Sequence, residues 1–386
     1  MRIGGALTIA DRAYVVGLAL GVLLLALAGA ISVPPLAAHG DFAEQWAAAR
    51  MVLEGGHPYD PLTWREGAAR LAGRSSDAAV FVYPPYVTLA LVPLGALPLP
   101  IAATLWVGAT VLIAMLAFGA LLRTYPPPHP ALATLFGTAL LGSTPSLIAL
   151  GQGQWDFLLL AAVSWSLVAV ARDGTAPASA LALLFKPQLA PLVLVAFARA
   201  SSGRARAGFI AASTVAISLI AATVVAVLPW WTAWLRGLTG FTAAPPSRTT
   251  TLSTTLDALL GPTGAIVLVA VIAAAIWVGL TLPARRPATL AMWIATAVLI
   301  APYVQAYDHL LLLPPLSVAT SAAAARLRSA SIAIGLAGVA LLILGDLAAS
   351  AVTMARGHDV FGAAIPFLIW LLVTAAAWSV RAPTSR

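Results

Sequence analysis

Residues 13–33 read AYVVGLALGVLLLALAGAISV, without a single charge. A helix needs about 20 apolar residues to cross the hydrocarbon core of a bilayer, and this stretch supplies them. Arg2 and Arg12 precede it and Pro34-Pro35 closes it. A secretory signal has a shorter apolar region and a small-residue cleavage site, so this segment reads as an uncleaved first transmembrane helix.

The same texture continues outward. Of 386 residues, 61% are hydrophobic and only 9% charged, and mean hydropathy is +0.96. Ordinary soluble domains are about 45–50% apolar and about 25% charged. A water-soluble core cannot hide that excess, so a soluble enzyme, a disordered chain and a nucleic-acid binder are excluded. Further candidate spans lie near 100–122, 131–150, 155–171, 176–198 (broken at Pro187), 207–228, 263–282, 288–301, 308–325, 330–350 and 361–380. The fold class is an all-α polytopic membrane protein with about 11–13 transmembrane helices. It forms a single domain over 1–386, with outer loops at 34–99 and 229–262.

Charge supports this map. With a cytoplasmic N-terminus, arginines such as Arg2, Arg12, Arg123, Arg172, Arg285 and Arg286 collect at inner ends, as the positive-inside rule requires. Most acids fall on the opposite side, with only Asp11 and Asp173 inside. The net charge of +8 comes without a basic run that could track a phosphate backbone. No cysteine is present, so there is no disulfide framework or thiolate chemistry. The polar chemistry therefore belongs to the outer face of a cell membrane.

Four patches carry it. Phe42, Trp46, Ala49 and Leu53 recur at helical spacing, so 41–54 reads as an amphipathic helix on the membrane, ended by Gly55-Gly56 and Pro58. Asp41 stands at its N-cap with Glu44 three residues on, a capping-box spacing. The plain reading is a helix cap; the functional one is a general base at the membrane surface. Next come Phe81-Val82-Tyr83-Pro84-Pro85-Tyr86, opening a short helix over 85–97, with aromatics that serve as belt anchors or as a sugar-stacking surface.

Gly151-Gln152-Gly153-Gln154-Trp155-Asp156 cannot form a continuous lipid-facing helix, so it lines a cavity or is buried in protein. Asp156 there caps the next helix or faces the cavity. Lys186, the only lysine, interrupts the apolar run Leu181–Phe185 and precedes Pro187. A lysine at a helix centre costs roughly 2.5–3.5 kcal/mol on insertion scales. Snorkelling would need a nearby helix end; an anion brought into the membrane, such as a lipid phosphate, is the more economical partner. Finally, Tyr303, Gln305, Tyr307, Asp308 and His309 gather at an outer span end. The Ser/Thr-rich stretch 245–255 reads as a solvated connection or a gate, the connection being the default. No His/Asp/Glu cluster has metal-ligand spacing, and there is no P-loop, Rossmann glycine pattern or nucleophile elbow.

Asp41-Phe42, Gly56-His57-Pro58-Tyr59-Asp60-Pro61, Phe81-Val82-Tyr83-Pro84-Pro85, Gly151-Gln152, Lys186-Pro187 and Gln305-Ala306-Tyr307-Asp308, in this order, resemble the GT-C superfamily of membrane glycosyltransferases, and within it glycosyltransferase family 87. The resemblance implies juxtamembrane helices in the first outer loop capping a cavity open to the bilayer. It implies a polyprenyl-phosphate-linked sugar donor, mannose first, and a lipid-linked or envelope glycan acceptor. It also implies that Asp41 is the catalytic base and that His309 helps bind donor or acceptor. Lys186, with Asp308, Tyr307, Gln152, Asp156 and Tyr83, completes the expected substrate site. No cofactor or metal is called for, because a cation can meet the phosphate. The competing class is a transporter or lipid flippase, which also uses broken helices and buried charge. The long outer loop and the lack of an evident inverted repeat speak against it.

Overall fold

The computed structural model describes residues 8–31, 40–73, 80–172, 175–241, 251–356 and 362–379. Among the described residues every regular element is helical. In chain order these are α1 (Ile9–Ile31), α2 (Asp41–Leu53), α3 (Pro61–Ala72), α4 (Pro85–Gly95), α5 (Leu99–Thr124), α6 (Pro130–Gly142), α7 (Thr144–Gln152) and α8 (Asp156–Ala171). A 3₁₀ segment, Ala178–Phe185, precedes α9 (Ala190–Ala200), α10 (Gly203–Ala226), α11 (Leu228–Phe241), α12 (Leu252–Leu260), α13 (Thr263–Thr281) and α14 (Pro287–Ile300). A second 3₁₀ segment, Ala306–Leu312, leads into α15 (Leu313–Ala324). α16 (Arg328–Ala340) continues through a π-helical turn, Leu341–Gly345, into α17 (Asp346–Arg356), and α18 (Ala364–Ser379) ends the described chain.

Among the described residues, six helical stretches are long and apolar enough to cross a membrane, and α4, α8, α9, α14 and α18 are shorter apolar helices. This is a polytopic membrane protein. In a bilayer, helices associate through close packing of small residues rather than through hydrophobic burial. α1 and α6 do so: a Cβ on Gly17 would lie 2.1 Å from the Thr134 carbonyl oxygen, and one on Gly137 would lie 2.7 Å from that of Tyr14. Hydroxyls stitch the same seam, Thr134 Oγ1 donating to the Ala13 carbonyl at 3.0 Å. At the N-terminal end of α1, Arg123 reaches Asp11 at 2.7 Å and ties α5 to it.

Proline and glycine place the breaks. The span expected over 131–150 is two helices, because Ser143 ends α6 and N-caps α7 ahead of Pro145. The span expected over 176–198 does break at Lys186-Pro187, its first half being 3₁₀ rather than α. Pro302 stops α14, and Pro314-Pro315 occupy the first turn of α15, where a missing N–H costs nothing.

The loop expected over 34–99 is more helical than foreseen. α4 matches the expected proline-led helix; α2 forms where a helix was expected but is buried almost all round rather than lying amphipathic on a membrane surface, and α3 was not foreseen. Asp60 caps α3, accepting from the Thr63 N–H at 2.9 Å. Met51, Tyr59, Trp64 and Phe81 pack these elements into one buried cluster. The Tyr59 hydroxyl donates to the Tyr83 carbonyl at 2.8 Å, and the Trp234 indole of α11 donates to that of Val82 at 2.9 Å. The motif Gly56–Pro61 thus supports the segment that carries Tyr83. Of the Ser/Thr-rich stretch 245–255, residues 245–250 lie outside the described residues, whereas Thr251 is no loop residue: it N-caps α12 through Thr254.

Candidate active site

The N-terminus of α2 departs from the helix-cap reading of Asp41. The N-cap is Gly40, not Asp41, and no side chain caps this helix. The helix-cap reading is therefore replaced by another geometry. A Cβ on Gly40 would come within 2.6 Å of Gln152 Cα and the Gly151 carbonyl oxygen, so only glycine lets α2 dock this closely on the end of α7. From there the Asp41 N–H donates to Gln152 Oε1 at 3.1 Å, and its carboxylate accepts from Gln154 Nε2 at 2.5 Å. The Tyr83 hydroxyl donates to Gln154 Oε1 at 3.1 Å. Gln154 was not singled out from sequence, and it is the residue that joins the first and second patches.

The backbone between α7 and α8 makes this possible. Gly153 has φ +64°, a left-handed conformation that ends α7 and turns Gln154 back toward α2. Trp106 of α5 holds the turn by donating to the Gly153 carbonyl at 2.8 Å. Trp155 is clamped on both faces of the turn, edge-on to Trp106 with centroids 4.6 Å apart and stacked on Phe185 at 4.5 Å.

One residue further on, Asp156 opens α8 without capping it. Its two carboxylate oxygens lie 3.1 and 2.9 Å from Lys186 Nζ. Asp308 Oδ1 takes the remaining direction at 2.6 Å, and the Tyr307 ring lies 4.5 Å from the ammonium. An ammonium has three N–H donors; here three carboxylate oxygens meet them. The anion that the sequence reading sought for Lys186 is thus supplied by two resident side chains. The geometry also explains the 3₁₀ segment Ala306–Leu312: Gln305 and Asp308 cap each other reciprocally, with the Gln305 N–H donating to Asp308 Oδ2 at 2.8 Å. One carboxylate serves both the turn and the lysine.

Burial divides the site. Lys186, Asp156, Asp308 and His309 are 4%, 0%, 1% and 0% exposed, whereas Asp41, Tyr83, Gln152, Tyr303 and Gln305 are half-buried. Tyr83 lies within electrostatic range of Asp41, Lys186, Asp156 and Asp308 together, and Tyr303 within range of Asp41, Lys186 and Asp308. The expected residues therefore meet in one cluster. His309 follows Asp308 in the turn but directs its Nδ1 away from Lys186, to Asp346 at 2.7 Å. Among the described residues no three His, Asp or Glu side chains gather as metal ligands.

The model of glycosyltransferase family 87 matches residues 81–303, more than half of the chain. The chain belongs to that family. No curated protein and no solved structure matches it. The matched region contains Tyr83, Gln152, Gln154, Asp156, Lys186 and Tyr303; Asp41, Asp308 and His309 lie outside it. The protein is a membrane glycosyltransferase.

Proposed function

We propose that this glycosyltransferase moves a sugar, mannose first, from a polyprenyl-phosphate donor to a lipid-linked or envelope glycan acceptor, with inversion, on the outer face of the cytoplasmic membrane. The observation that supports this reading is that Tyr83, bonded to Gln154 and through it to the Asp41 carboxylate, also lies within electrostatic range of the Asp156–Lys186 pair. The sidedness follows from the arginine distribution, which puts the N-terminus in the cytoplasm.

In the reaction Asp41 takes the proton of an acceptor hydroxyl as that oxygen attacks the anomeric carbon. The bond from that carbon to the phosphate oxygen breaks, and polyprenyl phosphate leaves with the electron pair. Phosphate is already a good leaving group, so one carboxylate suffices where a glycoside hydrolase normally needs two. Asp41 suits a base because it is half-buried and its carboxylate accepts from the neutral amide of Gln154. Lys186 acts by charge: its single positive charge offsets one of the two negative charges of Asp156 and Asp308 and so weakens their repulsion of the donor phosphate in a low-dielectric setting. Tyr83, Tyr307 and Gln152 frame the sugar, and His309 assists its binding.

The test is transfer itself. Purified protein given labelled polyprenyl-phosphate mannose and an envelope-lipid extract should form a labelled lipid product. Asp41→Asn should lower the rate about 10²–10⁴-fold, the typical weight of a positioned base, while membrane insertion and melting temperature hold. Turnover retained in Asp41→Asn removes Asp41 from its role.

A further inference from the structure

Arginines crowd the far ends of the helices that build the site. Arg172 closes α8, Arg199 stands in the last turn of α9, Arg204 and Arg206 lie in the first turn of α10, and Arg285-Arg286 lead into α14. From Asp156 in the site to Arg172, α8 runs about 24 Å. A positive-inside bias accounts for arginines at one end of a membrane protein. It does not account for a cavity walled by them. Arg172, Thr175, Ser201, Ser202 and Arg285 line a cavity of about 60 Å³ between α8, the α9–α10 junction and the turn before α14. One water needs about 10–15 Å³ of such space, so the cavity holds roughly four, about the bulk of a phosphate group.

Its walls are chemically one-sided. The Thr175 N–H donates to the Arg172 carbonyl at 3.1 Å, which puts both residues on one turn. Arg206 Nε braces another wall by donating to the Ser201 carbonyl at 3.1 Å. The guanidiniums of Arg172 and Arg285 and the hydroxyls of Thr175 and Ser202 have no partner among the described residues. Of the two acids that the sequence assigns to this side, Asp11 is bound to Arg123, and Asp173 lies outside the described residues. Ser202 leaves the first N–H groups of α10 without a side-chain cap, and their dipole adds to the same sign. The apolar surface beside the cavity is equally open: Ile210 near the start of α10, and Trp277 and Leu280 near the end of α13, are exposed.

We propose that this cavity binds the phosphate headgroup of an acidic two-chain phospholipid, which ties the ends of α8, α10 and α14 together. The phosphate sits between the guanidiniums, and the acyl chains run along α10 and α13. A zwitterionic headgroup would bring its own ammonium to walls that offer no carboxylate, so the acidic lipid is selected. The assignment needs neither the sugar nor the donor of the reading above.

Native mass spectrometry of the purified protein, titrated in detergent with phosphatidylglycerol or phosphatidylcholine, counts retained lipids. Wild type should hold one phosphatidylglycerol about tenfold more tightly than phosphatidylcholine, and its melting temperature should rise with the acidic lipid. Arg172→Gln/Arg285→Gln should weaken that first phosphatidylglycerol about 30-fold, and Arg285→Gln alone about fivefold, the weight of basic residues facing an acidic leaflet. Arg204→Gln, at the same end but off the cavity, should leave it unchanged. Equal retention in the double variant and wild type overturns the proposal. So does an equal loss in Arg204→Gln, which would reduce these arginines to a diffuse basic surface. Inorganic phosphate that stabilises wild type as phosphatidylglycerol does, and not the double variant, makes this a free-phosphate site and overturns the lipid assignment. Polyprenyl phosphate retained through Arg172 and Arg285 in preference to phosphatidylglycerol overturns it as well, giving the cavity to the donor lipid. A wild type that transfers nothing from polyprenyl-phosphate mannose refutes the donor reading and leaves the lipid counts to decide on the cavity.

Discussion

Asp41 and Lys186 belong to one cluster but live under opposite conditions. Asp41 sits half-buried at the start of α2, where its N–H donates to the Gln152 amide oxygen and its carboxylate accepts from the Gln154 amide. Lys186 is 4% exposed, at the break between a 3₁₀ segment and α9, and all of its donors meet carboxylate oxygens. A carboxylate held by amides can exchange a partner for an acceptor hydroxyl at little cost. An ammonium held by two buried carboxylates cannot, because removing either leaves a buried charge unpaired. Within one site, then, the movable charge stands at the rim and the fixed charge in the depth.

Lys186→Met strikes the fixed side and should have the largest effect. Two buried carboxylates lose their counter-ion, and breaking such a pair costs about 3–5 kcal/mol. Thermal unfolding in detergent should drop sharply and transfer should vanish with it. A variant that melts like wild type and still turns over would show that the triad is not the fixed element described here.

Gln154→Leu strikes the link between the two sides. It strips the Asp41 carboxylate of its amide donor and leaves the Tyr83 hydroxyl without its acceptor. Buried groups left unsatisfied cost about 1–3 kcal/mol. The expected outcome is a kcat roughly tenfold lower with melting changed by only a few degrees, smaller than the loss in Asp41→Asn. Equal kcat in Gln154→Leu and wild type would mean that Asp41 is positioned by the backbone of α2 alone.

The smallest effect lies outside the cluster. The Thr63 N–H and hydroxyl hold the Asp60 carboxyl below the usual carboxylate range. A lowered pKa adds stability above the unfolded value of about 4, and that stability is lost as pH falls through the folded value. The melting temperature of Asp60→Asn should therefore lie slightly below wild type at pH 7 and converge with it near pH 3, transfer at pH 7 being unchanged. A variant that lost transfer would bring α3 into the site.

Much of the fold could be read from local pattern. The apolar spans, the break at Lys186-Pro187, the existence of α2 (though not its burial) and the turn at Gly153 between Gly151 and Asp156 all follow from residues near one another in sequence. α3 escaped because Trp64, Gly67 and Ala68 bury a face too short to stand out beside the apolar spans. The site was legible as a set of residues and illegible as a set of pairs. Nothing near Lys186 names Asp156, thirty residues back, or Asp308, 122 residues on. Asp346 was visible as an acid in an apolar stretch, but its partner depends on a π turn that no spacing rule announces. The helix-cap reading of Asp41 failed by one residue, Gly40 taking the cap because only it fits against Gln152.

Asp41→Asn protein in complex with a polyprenyl-phosphate sugar, imaged by cryo-electron microscopy, tests the whole account most directly. The anomeric carbon should lie within hydrogen-bonding reach of position 41, and the phosphate on the side of the Asp156–Lys186–Asp308 triad. A headgroup bound at the opposite ends of α8, α9 and α14, or in a chamber walled off from position 41, would contradict it.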